Sequence, residues 1–191
     1  MKFINIYKKV LYLNFSICNG FCKSMGLEPD VDMGDLFYLL REDEEALLAK
    51  LKSGIYPLGS YQIIPPPSNP EHYMEWRKGE VRHFLEILLE KTDFEVLVLD
   101  MGCVMNGFFE VLDLCGRIWI LKEHRTSKDS GIEELRELLE KFKAGLEERV
   151  EEVFLPGGQA WREDGTIQVE EFYMGEVGNC VRRLLGGEYA S

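Results

Sequence analysis

The segment that most constrains this chain is an apolar run that ends in an acidic residue. Residues 94–100, FEVLVLD, read as a strand whose apolar side chains would be buried on both faces, as in the centre of a parallel sheet. Alternation of strands with helices predicts βαβ units and right-handed crossovers. The other predicted strands cover 9–15, 61–64, 117–121 and 152–155, and the predicted helices cover 35–40, 44–51, 70–91, 108–114, 127–150 and 170–185. The expected fold class is therefore α/β, with a mostly parallel sheet flanked by helices in one domain over residues 1–191.

Local sequence signals place several element boundaries. Asn69 is a candidate helix N-cap, Pro70 suits the first turn, and Glu71 complements the helix dipole. We expect that helix to continue to about residue 91, with a break near Gly79. The segment 127–150 carries apolar residues at three- and four-residue steps, which predicts one long amphipathic helix with an acidic outer face.

Charge and hydropathy restrict the partners of the chain. The formal net charge of −12 disfavours direct contact with nucleic acid or with an anionic membrane surface. No apolar run approaches the roughly 20 residues that span a bilayer, so no transmembrane segment is expected. We expect a cytoplasmic protein.

The end of the 94–100 strand is the first candidate site. Asp100 follows four apolar residues, and Gly102 comes after one spacer, which is the form of a Walker B strand. There the carboxylate holds the water shell of a Mg²⁺ ion and the glycine lets backbone approach phosphate. A strand-end Asp that caps the turn through Gly102 is the structural alternative. Asn14, at the end of the first strand, is either a site residue or only a turn former.

Several segments taken in order resemble the MinD/ParA family of P-loop ATPases. They are KKVLYLNF, DLFYLLRED, YQIIPPPSNPEHY, FEVLVLDMG, NGFFEVLDLCGRIWIL, LPGG and GEVGNCVRRLL. Within that family the chain looks most like the TadZ/CpaE-type proteins of Flp (Tad) pilus assembly. The resemblance implies a three-layer P-loop NTPase architecture of the SIMIBI type, and an ATP-dependent dimer that positions cargo at a cell site.

The phosphate-binding loop that defines this family has no counterpart in the sequence. Backbone N–H groups of that loop cradle phosphate and its lysine neutralises it. Neither a GxxxxGK[ST] pattern nor a GKGG-type loop occurs, and eight residues without glycine precede Lys9. We therefore expect a truncated or degenerate relative that lacks the first strand, the loop and the first helix. Loss of that strand would expose a sheet edge, which favours association with another chain.

The resemblance implies a set of nucleotide-site residues. By position these are Asn14, Asp100, Gly102, Leu155 and Pro156, with Asp100 holding the water shell of a Mg²⁺ ion. Leu155 and Pro156 match the backbone loop that lines adenine in relatives, or else form a Pro-terminated strand. No catalytic residue is assigned. ATP and Mg²⁺ are expected as cofactors only if the missing segment is supplied.

Three functions follow from these observations. The first is a non-catalytic ParA/MinD-like protein that acts through protein contacts with pilus or secretion machinery, and that forms a homodimer in some settings. The second is an ATPase whose phosphate-binding loop comes from a missing N-terminal segment or from a partner chain. The third is a small-molecule-binding module that uses the vacated nucleotide cleft.

Overall fold

The chain divides into two compact units. The computed structural model describes residues 9–16, 20–58, 61–69, 71–102, 104–122 and 130–155, together with 176 and 179–180. One unit covers Met1–Val111 and the other covers Leu112–Ser191. The single-domain expectation stays a prediction, and the two units are described separately below.

The described part of the chain contains strands interspersed with helices. The strands are β1 Val10–Asn14, β2 Tyr56–Leu58, β3 Tyr61–Ile64, β4 Val96–Asp100, β5 Ile118–Lys122 and β6 Val150–Phe154. The helices are α1 Phe21–Ser24, α2 Met33–Glu42, α3 Glu44–Gly54, α4 His72–Glu75, α5 Glu80–Lys91, α6 Phe108–Leu114, α7 Ser130–Phe142 and a 3-10 turn at Glu147–Arg149. The α/β fold class is confirmed.

Strand β1 is the centre of the first sheet. The strand order is β2-β3-β1-β4, and β1 pairs in parallel with both β3 and β4. Strand β2 pairs antiparallel with β3 at the edge, where Pro57 costs no ladder hydrogen bond on the solvent side. Parallel pairing brings the carboxyl ends of β1, β3 and β4 to one edge of the sheet.

One face of this sheet carries the core of the first unit. Leu11 and Leu13 of β1 are fully buried, and α2 and α5 supply Leu36, Phe37 and Phe84 to the same cluster. Trp76 lies at its centre, with its ring centroid 4.1 Å from that of Phe37 in a stacked arrangement. Its indole is 1% exposed, as expected for an aromatic of the core rather than of a ligand cage.

Asp32 fixes the start of α2 against the chain that follows β3. Its Oδ1 accepts hydrogen bonds from the N–H groups of Gly34 and Asp35, and the Asp35 carboxylate in turn accepts from the Asp32 N–H, which makes a capping box. Its Oδ2 accepts from the N–H of Ser68 at 2.7 Å. One buried carboxylate thus holds both a helix start and the loop after β3.

The second unit contains a two-stranded parallel sheet and α7. Strands β5 and β6 pair in register from Ile118↔Val150 to Lys122↔Phe154. Arg136 of α7 donates hydrogen bonds to the carbonyl oxygens of Glu147 and Val150, which ties the helix to the start of β6.

Three expectations about elements need correction. The helix predicted over 127–150 ends at Phe142, because Gly145 takes a positive φ of 82° and β6 already begins at Val150. Strand β4 is not buried on both faces. In the described part of the chain it pairs with β1 alone, and Val98 is 42% exposed.

The segment after Asn69 also differs from the prediction. Asn69 accepts a hydrogen bond from the N–H of Glu71 in a turn, and the helix begins only at His72. The expected break near Gly79 is confirmed, because Gly79 has φ 86° and separates α4 from α5. The closing helix predicted over 170–185 falls outside the described residues, apart from 176 and 179–180.

The Arg41–Glu80 ion pair joins α2 to α5 and makes stability depend on pH. The Arg41 Nε and Nη2 atoms each donate to one Glu80 oxygen at 2.8 Å, and the Glu80 side chain is 15% exposed. This hydrogen bonding to Arg41 lowers the pKa of Glu80. Because the pKa is lower in the folded state, the pair stabilises the fold above the ordinary carboxyl pKa. That stability is lost as the pH falls through the folded value.

We expect Glu80→Gln to lower the free energy of unfolding by about 1–3 kcal/mol at neutral pH. The difference from the wild type should shrink on acidification below about pH 4. Urea unfolding over a pH series measures both effects. Glu86→Gln is the matched control, because Glu86 pairs with Arg82 on an exposed helix face and should cost about 0.5 kcal/mol or less. Equal losses in the two variants at every pH would contradict the prediction.

Candidate functional site at the ends of β1 and β4

The carboxyl ends of β1 and β4 lie side by side and bring together three of the predicted site residues. Asn14 is the register partner of Asp100, and the N–H of Phe15 donates to the Asp100 carbonyl oxygen at 2.8 Å. Gly102 follows two residues later and meets the chain at Ser16. The predicted residues Asn14, Asp100 and Gly102 thus form one cluster.

Tyr12 belongs to this cluster although the sequence analysis did not include it. Its hydroxyl donates to Asp100 Oδ2 at 2.6 Å. Its ring lies between that of Phe21, with centroids 5.5 Å apart, and that of Tyr61, 6.4 Å away. Burial, and then the hydrogen bond and charge of Asp100, raise the pKa of Tyr12 beyond the ordinary range of a phenol.

Side-chain alternation along β1, combined with the register of β1 against β4, could have placed Tyr12 at this site. Tyr12 pairs with Val98 in the parallel register, and side chains two residues apart on a strand point to the same face. Tyr12, Asn14 and Asp100 therefore share one face of the sheet. A long side chain can reach the diagonal neighbour on the next strand.

Asn14 is fully buried and acts as a turn former at the end of β1. Its Oδ1 accepts from the N–H of Ser16 at 2.8 Å, and its Nδ2 lies 3.4 Å from the Tyr12 hydroxyl. The Tyr73 hydroxyl donates to the Asn14 carbonyl oxygen at 3.0 Å. The side chain and backbone of Asn14 are thus used to shape the exit of β1.

Gly102 permits a close approach between the two strand ends. A Cβ atom at Gly102 would lie 1.9 Å from Ser16 Oγ, 2.6 Å from Ser16 Cβ and 3.0 Å from Ser16 Cα. The absence of a side chain at position 102 therefore serves a contact within the protein.

The other two predicted residues belong to the second unit. The N–H of Leu155 donates to the carbonyl oxygen of Lys122 at 2.9 Å, which continues the β5–β6 ladder by one residue. Pro156 lies outside the described residues. The prediction that both line a nucleotide base stays untested.

The donors at this strand end do not fit a magnesium ion or a nucleotide phosphate without further residues. Magnesium in proteins takes an octahedral set of oxygen ligands. Within the described ranges, no group of three His, Cys, Asp or Glu side chains could hold a metal. Asp100 contributes one carboxylate, which already accepts from a phenol, while Tyr12, Asn14 and Ser16 add no positive charge for phosphate.

A pocket of about 460 Å³ lies elsewhere in the first unit. Residues of α2 and α4 line it, including Tyr38, Arg41, His72 and Trp76. None of the predicted site residues takes part in its wall. The pocket and the strand-end cluster are therefore separate features.

Comparison with known proteins identifies the fold. No family model and no curated protein matches the sequence. The crystal structure of a ParA family ATPase from Chlorobium tepidum TLS matches with TM-score 0.58 and 18% identity, over 77% of this chain and 60% of that one. The fold is that of the ParA-type P-loop NTPases.

A second enzyme shares this ParA-like fold. Cobyrinic acid a,c-diamide synthase from Mycobacterium smegmatis, with bound ATP analog and magnesium, matches with TM-score 0.51 and 14% identity, over 78% of this chain and 62% of that one. The same enzyme with ADP and magnesium matches with TM-score 0.52 and 12% identity, over 94% and 69%. The chain thus spans about 60% of the length of the first two structures. At these identities the likeness concerns the fold.

The described helices add one finding about membranes. None of them is long and apolar enough to cross a bilayer.

The Gly102–Ser16 contact gives a direct test of the strand-end geometry. We expect Gly102→Ala to destabilise the fold by about 1–3 kcal/mol, because the new methyl group overlaps Ser16. Ser16→Gly in the same chain should restore part of the loss, since the contact with the Ser16 Cα remains. Urea unfolding of the two single variants and the double variant measures this coupling.

Gly116→Ala serves as the control for that cycle, because a Cβ there meets no atom within 4 Å. If Gly102→Ala were as stable as Gly116→Ala, the close approach of the strand ends would be refuted.

Proposed function

We propose that this chain is a non-catalytic ParA/MinD-like protein that acts through protein contacts. The partners that its sequence resemblance implies are components of pilus-assembly or secretion machinery. In this proposal the ParA-like fold serves as a binding scaffold. ATP hydrolysis is not an activity of the chain alone.

The main support for the proposal is that Asp100 accepts a hydrogen bond from Tyr12. In a nucleotide site the strand-end carboxylate must be available to the hydration shell of Mg²⁺. Here Asp100 Oδ2 accepts from Tyr12 at 2.6 Å, and Asn14 is used to form a turn. Because these side chains stabilise the fold, we infer that the chain acts through contacts made by its surface.

Charge and exposed apolar groups favour a protein partner. The net charge of −12 favours a basic protein surface and disfavours nucleic acid. Val98 and Val104, on either side of Asp100 in sequence, are 42% and 79% exposed. A protein partner would remove these apolar side chains from water, which is favourable.

A second candidate is an ATPase completed by a further segment. Asp100 and Gly102 occupy the end of a parallel strand in a ParA-like fold, and solved proteins of this fold hold an ATP analog or ADP with magnesium. The chain also spans only part of the length of those proteins. A phosphate-binding loop from a longer gene product or from another chain would supply the missing cations and N–H groups.

Nucleotide-dependent melting separates the two candidates. We expect no change in the melting temperature of the wild type with millimolar ATP and Mg²⁺, because neither a GxxxxGK[ST] pattern nor a GKGG-type loop occurs in the sequence. A ligand at about 100 times its dissociation constant would stabilise the fold by about 2.7 kcal/mol. For a protein of this size, that is a rise of about 5–10 °C.

Asp100→Asn is the matched variant for the melting experiment. A Mg²⁺-dependent rise in the wild type that disappears in Asp100→Asn would favour the ATPase. A rise that persists in Asp100→Asn would indicate a ligand site away from the strand end. The α2–α4 pocket is the place to examine in that case, and it would support the small-molecule alternative.

Partner capture tests the positive half of the proposal. The tagged chain, used as bait in an extract of its native host, should enrich pilus or secretion components relative to an unrelated bait of similar charge. The enrichment should persist when ATP is removed with apyrase. Recovery of no such component would count against the assigned partners and leave the fold assignment unaffected.

A further inference from the structure

The contact between Tyr12 and Asp100 is a partly buried interaction between neighbouring strands. The Tyr12 ring lies between aromatic neighbours, and the hydroxyl reaches Asp100 Oδ2 at 2.6 Å. A hydroxyl removed from water is destabilising when it lacks an acceptor. The Asp100 carboxylate therefore stabilises the position of the Tyr12 phenol.

The side-chain amide of Asn14 determines that the Tyr12 hydroxyl donates its proton to Asp100. Asn14 Nδ2 is itself a donor and lies 3.4 Å from the Tyr12 oxygen, so it cannot accept the phenol proton. The Asn14 Oδ1 atom is used by the N–H of Ser16. Asp100 is the acceptor that the described geometry offers to Tyr12.

The ring of Tyr12 transmits this contact to α1. Phe21, the first residue of that helix, stacks on Tyr12 with an interplanar angle of 26°. A cation coordinated by Asp100 Oδ2 would compete with the phenol for the lone pairs of that oxygen. Metal binding through Oδ2 would therefore weaken the contact that holds the Tyr12 ring beside Phe21.

We propose that Asp100 serves as the hydrogen-bond acceptor that locks Tyr12 and joins β1 to β4, and that it is not a cation ligand in this protein. The strand-end acid of the ParA-like fold thereby has a structural task. Tyr12 is a positioning residue, since it acts on α1 through its ring. This inference goes beyond the proposed function and holds whether or not the chain binds pilus proteins.

Comparison of Asp100→Asn with Asp100→Ala tests whether Asp100 acts as a hydrogen-bond acceptor or as a metal ligand. The amide oxygen in Asp100→Asn can still accept from Tyr12, whereas Asp100→Ala removes the acceptor of the phenol proton. We expect Asp100→Asn to lower the melting temperature by about 3 °C or less and Asp100→Ala to lower it by about 4–8 °C. The double variant Tyr12→Phe/Asp100→Ala should melt no lower than Asp100→Ala, because the orphaned hydroxyl is gone.

Manganese is the probe for the metal alternative. Millimolar MnCl₂ should change the melting temperature of the wild type, of Asp100→Asn and of Asp100→Ala by the same amount. A rise in the wild type that both variants lose would overturn the proposal, since a ligand role needs the carboxylate. Equal destabilisation by Asn and Ala without metal would overturn it too, because acceptor capacity would then be irrelevant.

Discussion

The parallel pairing of β1 with two neighbours is the constraint on which the described site depends. Strand β1 lies between β3 and β4. One face of the strand packs into the core of the first unit, and the other face carries the site. Leu11 and Leu13 are buried on one face, and Tyr12 and Asn14 take the other. Because β4 runs parallel in matching register, Asp100 must end next to Asn14.

The strongest elements could be predicted from the sequence because their signals are local. The apolar run of β1, the strand that ends at Ile64 before Pro65 and the helix Phe108–Leu114 follow from residue pattern and turn chemistry. The end of α7 could not be predicted in the same way. Its acidic, periodic sequence continues past Phe142, but the chain turns at Gly145, which has a positive φ, and then passes through a 3-10 turn before β6 begins at Val150.

The candidate site shows what a pattern of residues leaves open. The form of the strand end predicted Asp100 and Gly102 as a pair, and the structure places both beside Asn14. The roles depend on contacts between distant segments. Tyr12 reaches Asp100 across 88 positions of the chain, and Ser16 fills the space beside Gly102. Neither contact follows from local spacing, because both require the register of β1 against β4.

The central proposal is that this ParA-like chain acts as a binding scaffold and does not bind ATP by itself. Equilibrium dialysis with labelled ATP and Mg²⁺, on the wild type and on Asp100→Asn, tests this most directly. We predict equal ATP on both sides of the membrane for both proteins at protein concentrations up to about 100 μM, a range that detects ordinary nucleotide affinities. Saturable, Mg²⁺-dependent retention of ATP by the wild type, lost in Asp100→Asn, would contradict it.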